Sequence, residues 1–217
     1  MSHWLIAPVL LPALLAPLML LFLRKRLMES RVVSLAGCLS LLALAGLLMV
    51  QADTGIIQTY ALGDWRAPFG IILALDRLSA LMLMVTAILA LAVMIYAVAT
   101  GLDRKGWHFH PLFQFQLLGL NGAFLTGDLF NLFVFFEVLL IASCGLMLHG
   151  GGAARLKAGV QYVVVNLVGS TLFLVAVGLL YGATGTLNMA HMGQRVAEAP
   201  TLVMMANRAA TGAEVEP

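Results

Sequence analysis

The chain alternates between long apolar stretches and short polar connections. A membrane-spanning helix needs roughly 20 apolar residues. The apolar stretches near this length are Leu5–Leu23, Val32–Val50, Leu78–Ala99, Pro111–Thr126, Leu129–Leu148 and Ala158–Tyr181. The pattern therefore predicts an all-α, polytopic helical membrane protein with about six transmembrane helices.

The fourth stretch differs from the others because it is short and carries the amides of Gln114, Gln116 and Asn121. Lipid offers no hydrogen-bond partners to such groups. We therefore expect this helix to be surrounded by protein.

The connection from Gln51 to Arg77 is the only long one between predicted helices. It contains two β-prone runs, Ile56–Ala61 and Phe69–Leu75, with turn residues at Gly63 and Asp64 between them. This arrangement predicts a β-hairpin in a loop outside the membrane.

Basic residues are unevenly divided between alternate connections. The connections after the first, third and fifth stretches hold eight: Arg24, Lys25, Arg26, Arg31, Arg104, Lys105, Arg155 and Lys157. The connections after the second and fourth stretches, together with residues 182–197 after the sixth, hold three: Arg66, Arg77 and Arg195. Because Lys and Arg concentrate on the cytoplasmic side, the first set is expected inside and the N-terminus outside.

Composition agrees with a membrane protein and excludes several other classes. The chain is 62% hydrophobic and 10% charged, whereas a soluble domain is about a quarter charged. The net charge of +2 is too small for a nucleic-acid-binding surface. Cys38 and Cys144 lie in apolar runs without a ligand pattern, so neither a metal site nor a cofactor site is predicted. The charged residues favour ion or proton movement over covalent chemistry.

Glu137 is the residue that most needs an explanation. It is the eighth residue after Leu129, which places it about 12 Å along the fifth helix and near the bilayer midplane. An ionised carboxylate there costs about 2.5–3.5 kcal/mol on insertion scales. The cost falls if the group is protonated or paired with a cation, and both states suit a proton carrier. The alternative is a structural carboxyl hydrogen-bonded between helices.

Other polar residues are candidates for lining a proton path, and each has a structural alternative. Asn131 lies near the mouth of the same helix. Asp128, at the turn before that helix, is expected to face water, or it could cap the helix. Asn166 and Ser170 share one face of the sixth helix, next to Thr171. That face could line a hydrated path beside Glu137 or form a packing seam.

Two basic residues, His149 and Lys157, are candidates that lie toward the predicted cytoplasmic surface. His149 follows the fifth apolar stretch and could relay protons to Glu137, or it could simply be solvated. Lys157 opens the sixth stretch and could line the path, or it could anchor the helix at the interface.

Two stretches closely resemble a known family. They are GDLFNLFVFFEVLLIASCGLMLHGGG and RLKAGVQYVVVNLVGSTLFLVAVGLLYGATGTLNMA, and they resemble the antiporter-like subunits of Mrp-type multisubunit cation/proton antiporters, the D subunit above all. These subunits are similar to the proton-pumping membrane subunits of respiratory NADH:quinone oxidoreductase (complex I). The resemblance runs from about Leu5 to Ala197.

The resemblance implies a function and a role for Glu137. The chain is expected to be a membrane subunit of a monovalent cation/proton antiporter, with Glu137 matching a glutamate that pairs with a lysine on a seventh helix. Its partners would be the other antiporter subunits, protons, Na⁺ or K⁺ and the lipid bilayer. The alternatives are a proton-pumping subunit of complex I or a membrane-bound hydrogenase, and an inactive truncated scaffold.

The resemblance also implies an organisation and a location. Residues 1–110 would hold three helices with the outer loop 51–77, residues 111–190 the start of the proton-conducting module, and residues 191–217 a polar tail outside the family. The expected lysine helix is not among the 217 residues, so we expect a truncated or frame-shifted product or one piece of a split subunit. Glu137 is then expected to be protonated in this chain. The expected location is a bacterial inner membrane.

Overall fold

The structure, a computed structural model, describes residues 3–64 and 70–197. All six predicted apolar stretches are confirmed as helices. They are α1 (Ala7–Phe22), α2 (Leu27–Ala52), α3 (Arg77–Thr100), α4 (Phe109–Leu125), α5 (Leu129–Met147) and α6 (Ala153–Thr184). Residues 189–197 are also helical, so the predicted polar tail of residues 191–217 begins within a helix, and its residues from 198 onward lie outside the described residues.

Five segments within the described ranges are long and apolar enough to cross a membrane: His3–Phe22, which includes α1, and the helices α2, α3, α5 and α6. The exception, α4, has 17 residues, which is about 25 Å of helix. It packs against α1 on one side and α5 on the other. Gln114 and Asn121 are buried there, which confirms that this helix has protein neighbours rather than lipid.

Local chemistry sets the ends of the helices. The Asp76 carboxylate accepts a hydrogen bond from the backbone N–H of Ser79 at 2.6 Å and so caps the start of α3. This bond holds the pKa of Asp76 below its ordinary value. Gly101 and Gly185 end α3 and α6 in the left-handed conformation, with φ of 68° at each, which glycine adopts without a Cβ penalty.

A proline in α1 explains the buried amide of α4. Pro12 has no N–H, so the carbonyl of Pro8 loses its partner within the helix. Asn121 supplies the missing donor, since its Nδ2 lies 2.9 Å from the Pro8 oxygen. The sequence feature that weakens α1 is therefore what attaches it to α4.

The contact between α4 and α5 depends on glycine. A Cβ at Gly119 would lie 2.9 Å from the backbone oxygen of Phe135 and from the backbone nitrogen of Leu139. A Cβ at Gly122 would overlap the ring of Phe135. These positions let the two helices approach closely, as small residues do in membrane helix packing.

The predicted β-hairpin is confirmed, with shorter strands than predicted. Strand β1 is Gln58–Ala61 and strand β2 is Ile72–Leu75, and they pair antiparallel with Gln58 opposite Leu75. Leu62 and Ile71 extend the pairing by one hydrogen bond, and residues 65–69 lie outside the described ranges. Leu73 and Leu75 are buried, so β2 packs against the ends of the helices.

A buried ion pair joins α2 to the link between α3 and α4. The Arg31 guanidinium donates to both Asp103 oxygens, at 2.5 and 2.8 Å, and Asp103 is fully buried. His110 contacts Asp103 at 3.3 Å and Ser34 at 2.9 Å through its two ring nitrogens. The hydrogen bond from Arg31 holds the pKa of Asp103 below its ordinary value. The Arg31 charge is therefore neutralised within the protein, although its place in the sequence indicated only a surface cation.

Candidate functional site

Glu137 lies at the middle of α5 and opens into a groove between α5 and α6. It is the ninth of the 19 residues of α5, so its depth agrees with the sequence prediction. The groove has a volume of about 280 Å³. Its lining residues are Glu137, Leu140, Ile141, Cys144, Tyr162, Val163, Asn166, Leu167 and Ser170.

The Glu137 carboxyl is enclosed on one side only. The residue as a whole is partly exposed, and one of its carboxyl oxygens, Oε1, is buried. Oε1 is fully enclosed and has no hydrogen-bond partner among the residues that the structure describes. An ionised oxygen in this position would be costly, whereas a protonated carboxyl has less charge to compensate.

The nearby polar groups of the groove bond to other atoms. The hydroxyl oxygens of Ser143 and Tyr162 lie 2.8 Å apart and join α5 to α6. Asn166 donates from Nδ2 to the Tyr162 carbonyl at 2.8 Å. The groove therefore brings polar side chains close to Glu137 without a cation among its described lining residues.

The α6 candidates divide into two groups. Asn166 and Ser170 line the groove, as their shared face predicted. Thr171 does not line it: this residue is exposed and donates to the carbonyl of Leu167 at 2.7 Å. A Cβ at Gly169 would meet nothing within 4 Å among the described atoms, so this part of α6 is open rather than a tight packing seam.

Asn131 lies at the end of α5, away from the groove. Its backbone N–H donates to the Asp128 carboxylate at 2.8 Å, and its Nδ2 donates to Thr126 Oγ1 at 3.0 Å. Asp128 therefore caps α5, which was one of the two expectations for it. Its side chain is only 6% exposed, so it does not face water. Asn131 thus has a structural partner set that explains its burial.

The same arrangement recurs after α6, and the sequence reasoning did not identify it. Asn188 accepts from the backbone N–H of His191 at 3.0 Å, and the His191 ring contacts Thr186 Oγ1 at 3.2 Å. Asp128 and Asn188 pair in an antiparallel bridge. The sequence signal was available: a threonine, an aspartate or asparagine two residues later, and a polar side chain three residues after that.

The basic residues His149 and Lys157 do not line the groove. His149 is 8% exposed and contacts the Leu102 carbonyl through Nε2 at 3.0 Å, so it is a packed residue rather than a solvated one. Lys157 is exposed in the first turns of α6, nine residues before Asn166. Nine residues correspond to about 13 Å along the helix. Neither residue is placed to pair with Glu137 in this structure.

Sequence reasoning missed three residues of the groove region, Ser143, Cys144 and Tyr162. Cys144 follows Glu137 by seven residues, and Tyr162 precedes Asn166 by four, so both repeat at helical spacing on the faces already identified. Extending the α5 face by two turns and the α6 face by one turn would have found them. The pairing of Ser143 with Tyr162 depends on the rotation of α6 against α5, which the spacing does not specify.

Comparison with known proteins agrees with this fold. A family model described as NADH:quinone oxidoreductase/Mrp antiporter, TM, matches residues 126–212. The chain is 50% identical over 202 residues to the D subunit of a probable K(+)/H(+) antiporter of Rhizobium meliloti, covering 91% of this chain and 37% of that protein. It is 43% identical over 199 residues to the D subunit of a Na(+)/H(+) antiporter of Bacillus subtilis, covering 91% and 40%.

A solved structure shows the same architecture. The chain superimposes on a subunit of the Mrp complex from Dietzia sp. DQ12-45-1b with a TM-score of 0.83 and 35% sequence identity, covering 96% of this chain and 41% of that one. The chain spans about two fifths of the length of the curated relatives it matches. With its apolar helices and these matches, it is a membrane protein. Residues 126–212 belong to the family of NADH:quinone oxidoreductase/Mrp antiporter membrane subunits, and 91% of the chain aligns with the D subunit of an antiporter.

Proposed function

We propose that this chain forms part of a multisubunit monovalent cation/proton antiporter and that Glu137 exchanges the proton. The observation that carries the proposal is the position of Glu137: a carboxyl at mid-helix, open to a groove and with an enclosed oxygen that lacks a partner among the described residues. Intramembrane acids of this kind are expensive to keep and are usually functional.

The groove supports a specific division of roles. Glu137 takes up and releases the proton, because a small change in its surroundings decides between the neutral and ionised forms. Asn166 and Ser170 offer polar atoms along the opposite wall, where water could be held. Four other candidates lie outside the groove: Asn131, Thr171, His149 and Lys157. They could take part in proton transfer only through contacts that differ from those in this structure.

The proposal extends to partners and location. Two similar proteins are named as antiporter D subunits, and the similar solved structure is an Mrp complex, which supports assembly with further subunits and transport of Na⁺ or K⁺. We place the chain in a bacterial inner membrane with its N-terminus outside, because the basic residues gather at the opposite end of the bundle.

The test is the Glu137→Gln variant in the assembled antiporter complex, assayed as cation-dependent proton exchange in inverted membrane vesicles. Exchange should fall by at least about tenfold, because the amide cannot carry a proton. Na⁺ and K⁺ are added separately to identify the cation. Glu29→Gln is the matched control, because Glu29 is exposed and pairs with Arg26 at 2.8 Å. Unchanged exchange in fully assembled Glu137→Gln complexes would contradict the proposal.

A redox-driven proton pump is the second candidate, because the description of the matching family also includes NADH:quinone oxidoreductase. It predicts the same loss in Glu137→Gln, but with proton movement that depends on an electron donor rather than on Na⁺ or K⁺. Proton movement without added Na⁺ or K⁺, driven by oxidation of a donor, would favour the pump.

The orientation has its own test. A cysteine placed at Ser2 should react with a membrane-impermeant maleimide on intact cells, whereas one placed at Arg104 should react only after the membrane is opened. The reverse pattern would contradict an outside N-terminus.

A further inference from the structure

A second cavity lies at the end of the bundle where the basic residues gather. It has a volume of about 610 Å³ and is bounded by α1, α4, α5 and the links after α3 and α5. This volume falls within the range of small-molecule sites in proteins, about 300–1,000 Å³. The cavity is separate from the Glu137 groove and shares none of its lining residues.

The rim of the cavity is cationic. Lys105 lines it with its ammonium group, next to Trp107 and the imidazole rings of His108 and His149. The Arg24 guanidinium lies 3.9 Å above the Trp107 ring and adds a further positive charge. Arg155 also reaches the rim, where it donates to the His149 carbonyl.

Nearby acids leave this positive charge uncompensated. Glu29 pairs with Arg26, and Asp103 pairs with Arg31, so within the described chain these two acids are already engaged. Burial, with the nearby charge of Arg24, lowers the pKa of His108 and favours its neutral form, so the positive charge of the rim comes from Lys105, Arg24 and Arg155. The helix α4 begins here with no acidic residue in its first turn, and its positive dipole end adds to the same field.

Below the rim the wall is apolar and belongs to the bodies of the helices. Leu20 of α1, Leu112 and Phe115 of α4, Gly145 of α5 and Leu148 after α5 form it. From Pro111 to Phe115 the wall follows α4 for about 6 Å. Trp107 stands at the boundary between rim and wall, as tryptophans do at membrane interfaces.

We propose that this cavity binds an anionic phospholipid, with the phosphate at the Lys105, Arg24 and Arg155 rim and the start of an acyl chain against Leu112 and Phe115. Charge complementarity and the change from cationic rim to apolar wall favour this occupant. Free phosphate would use the rim alone and leave the apolar wall exposed to water. Basic pockets between transmembrane helices are known to suit anionic headgroups.

Trp107 provides a direct probe. The chain has three tryptophans, so replacing Trp4 and Trp65 by Phe leaves Trp107 as the only reporter. The full chain is reconstituted in phosphatidylcholine vesicles that contain an equal mole fraction of either bromine-labelled phosphatidylglycerol or bromine-labelled phosphatidylcholine. Bromine quenches tryptophan on contact, so the proposal predicts stronger quenching of Trp107 by the labelled phosphatidylglycerol.

Matched variants locate the site. Lys105→Gln should reduce the preference for phosphatidylglycerol by about fivefold, the effect of about 1 kcal/mol per basic residue near a membrane surface. Arg104→Gln removes the same charge from the neighbouring exposed position, which does not line the cavity, and should leave the preference unchanged. Arg155→Gln repeats the test from the other side of the rim.

Three results would overturn the proposal. Equal quenching by both labelled lipids would remove the preference for an anionic headgroup. Equal effects of Lys105→Gln and Arg104→Gln would show attraction by the general surface charge. Displacement of the labelled phosphatidylglycerol by excess inorganic phosphate would identify free phosphate as the ligand.

Discussion

The hydroxyl oxygens of Ser143 and Tyr162 lie 2.8 Å apart beside the groove that holds Glu137. This hydrogen bond joins α5 to α6 at a level where the remaining lining is mostly aliphatic. Ser143 also donates to the Leu140 carbonyl at 2.9 Å, so its hydroxyl keeps a partner if Tyr162 changes.

Tyr162→Phe should therefore destabilise the chain modestly, by about 1 kcal/mol, because one interhelical hydrogen bond is lost without leaving a buried donor alone. The measurement is thermal unfolding in detergent. Tyr181→Phe on the same helix is the control, since Tyr181 is 42% exposed. Equal unfolding temperatures for Tyr162→Phe and the unaltered chain would show that the bond does not stabilise the pair.

Asn121→Leu should cost about 1–3 kcal/mol of stability, because the Pro8 carbonyl would remain buried without a donor. The proline supplies an internal check. Pro12→Ala restores a backbone N–H within reach of the Pro8 oxygen, so the same Asn121→Leu change should cost less in a Pro12→Ala background. Identical costs in the two backgrounds would contradict the explanation.

Gly119→Ala should weaken the packing of α4 on α5 by about 1–3 kcal/mol, because its Cβ would press on the backbone of α5 and not on a movable side chain. Gly169→Ala is the matched control in α6, where a Cβ meets nothing within 4 Å among the described atoms. That control should be neutral or stabilising, since alanine favours helix over glycine. The comparison uses thermal unfolding of both variants, and equal losses would count against the close approach.

The Asp103 pair predicts a specific dependence of stability on pH. Arg31 lowers the pKa of Asp103, so the folded state favours the carboxylate. The resulting stabilisation is complete above the ordinary aspartate value of about 3.9 and is lost as the pH falls through the lower folded value. Asp103→Asn should therefore lower the unfolding temperature at pH 7, and the difference from the unaltered chain should shrink toward pH 3.

Asp53→Asn controls for general effects of removing an acid, because Asp53 is exposed at the end of α2. It should leave both the unfolding temperature and its pH dependence nearly unchanged. A difference for Asp103→Asn that stays constant from pH 7 to pH 3 would show that the ionised carboxylate is not the stabilising form.

The helices and the hairpin were predictable because each is a local pattern. Apolar runs of spanning length identified all six helices, and the amides of Gln114 and Asn121 indicated that α4 is surrounded by protein. The strands were predicted too long because β-propensity marks Ile56 and Ile57 as strand residues. In the structure these side chains are 70% and 65% exposed, outside the paired ladder.

The features that escaped prediction join residues far apart in sequence. Arg31 and Asp103 are 72 positions apart, and nothing local indicates that a cation near the end of one helix pairs with an acid beyond the next. The candidate site was predictable in part, since Glu137, Asn166 and Ser170 share the groove. His149 and Lys157 do not, because helix length and rotation separate them from Glu137. The division of the chain at residues 110 and 190 stays a prediction.

We propose that Glu137 is a proton-carrying carboxyl, and we expect it to be protonated in this chain, where the groove offers no cation among its described lining residues. Infrared spectroscopy of the purified chain tests it most directly, by the carbonyl band that a protonated carboxyl shows and a carboxylate does not. This band should be present at neutral pH and should disappear in Glu137→Gln, while Glu29→Gln retains it. A spectrum without the band, or a band that persists in Glu137→Gln, would contradict the claim.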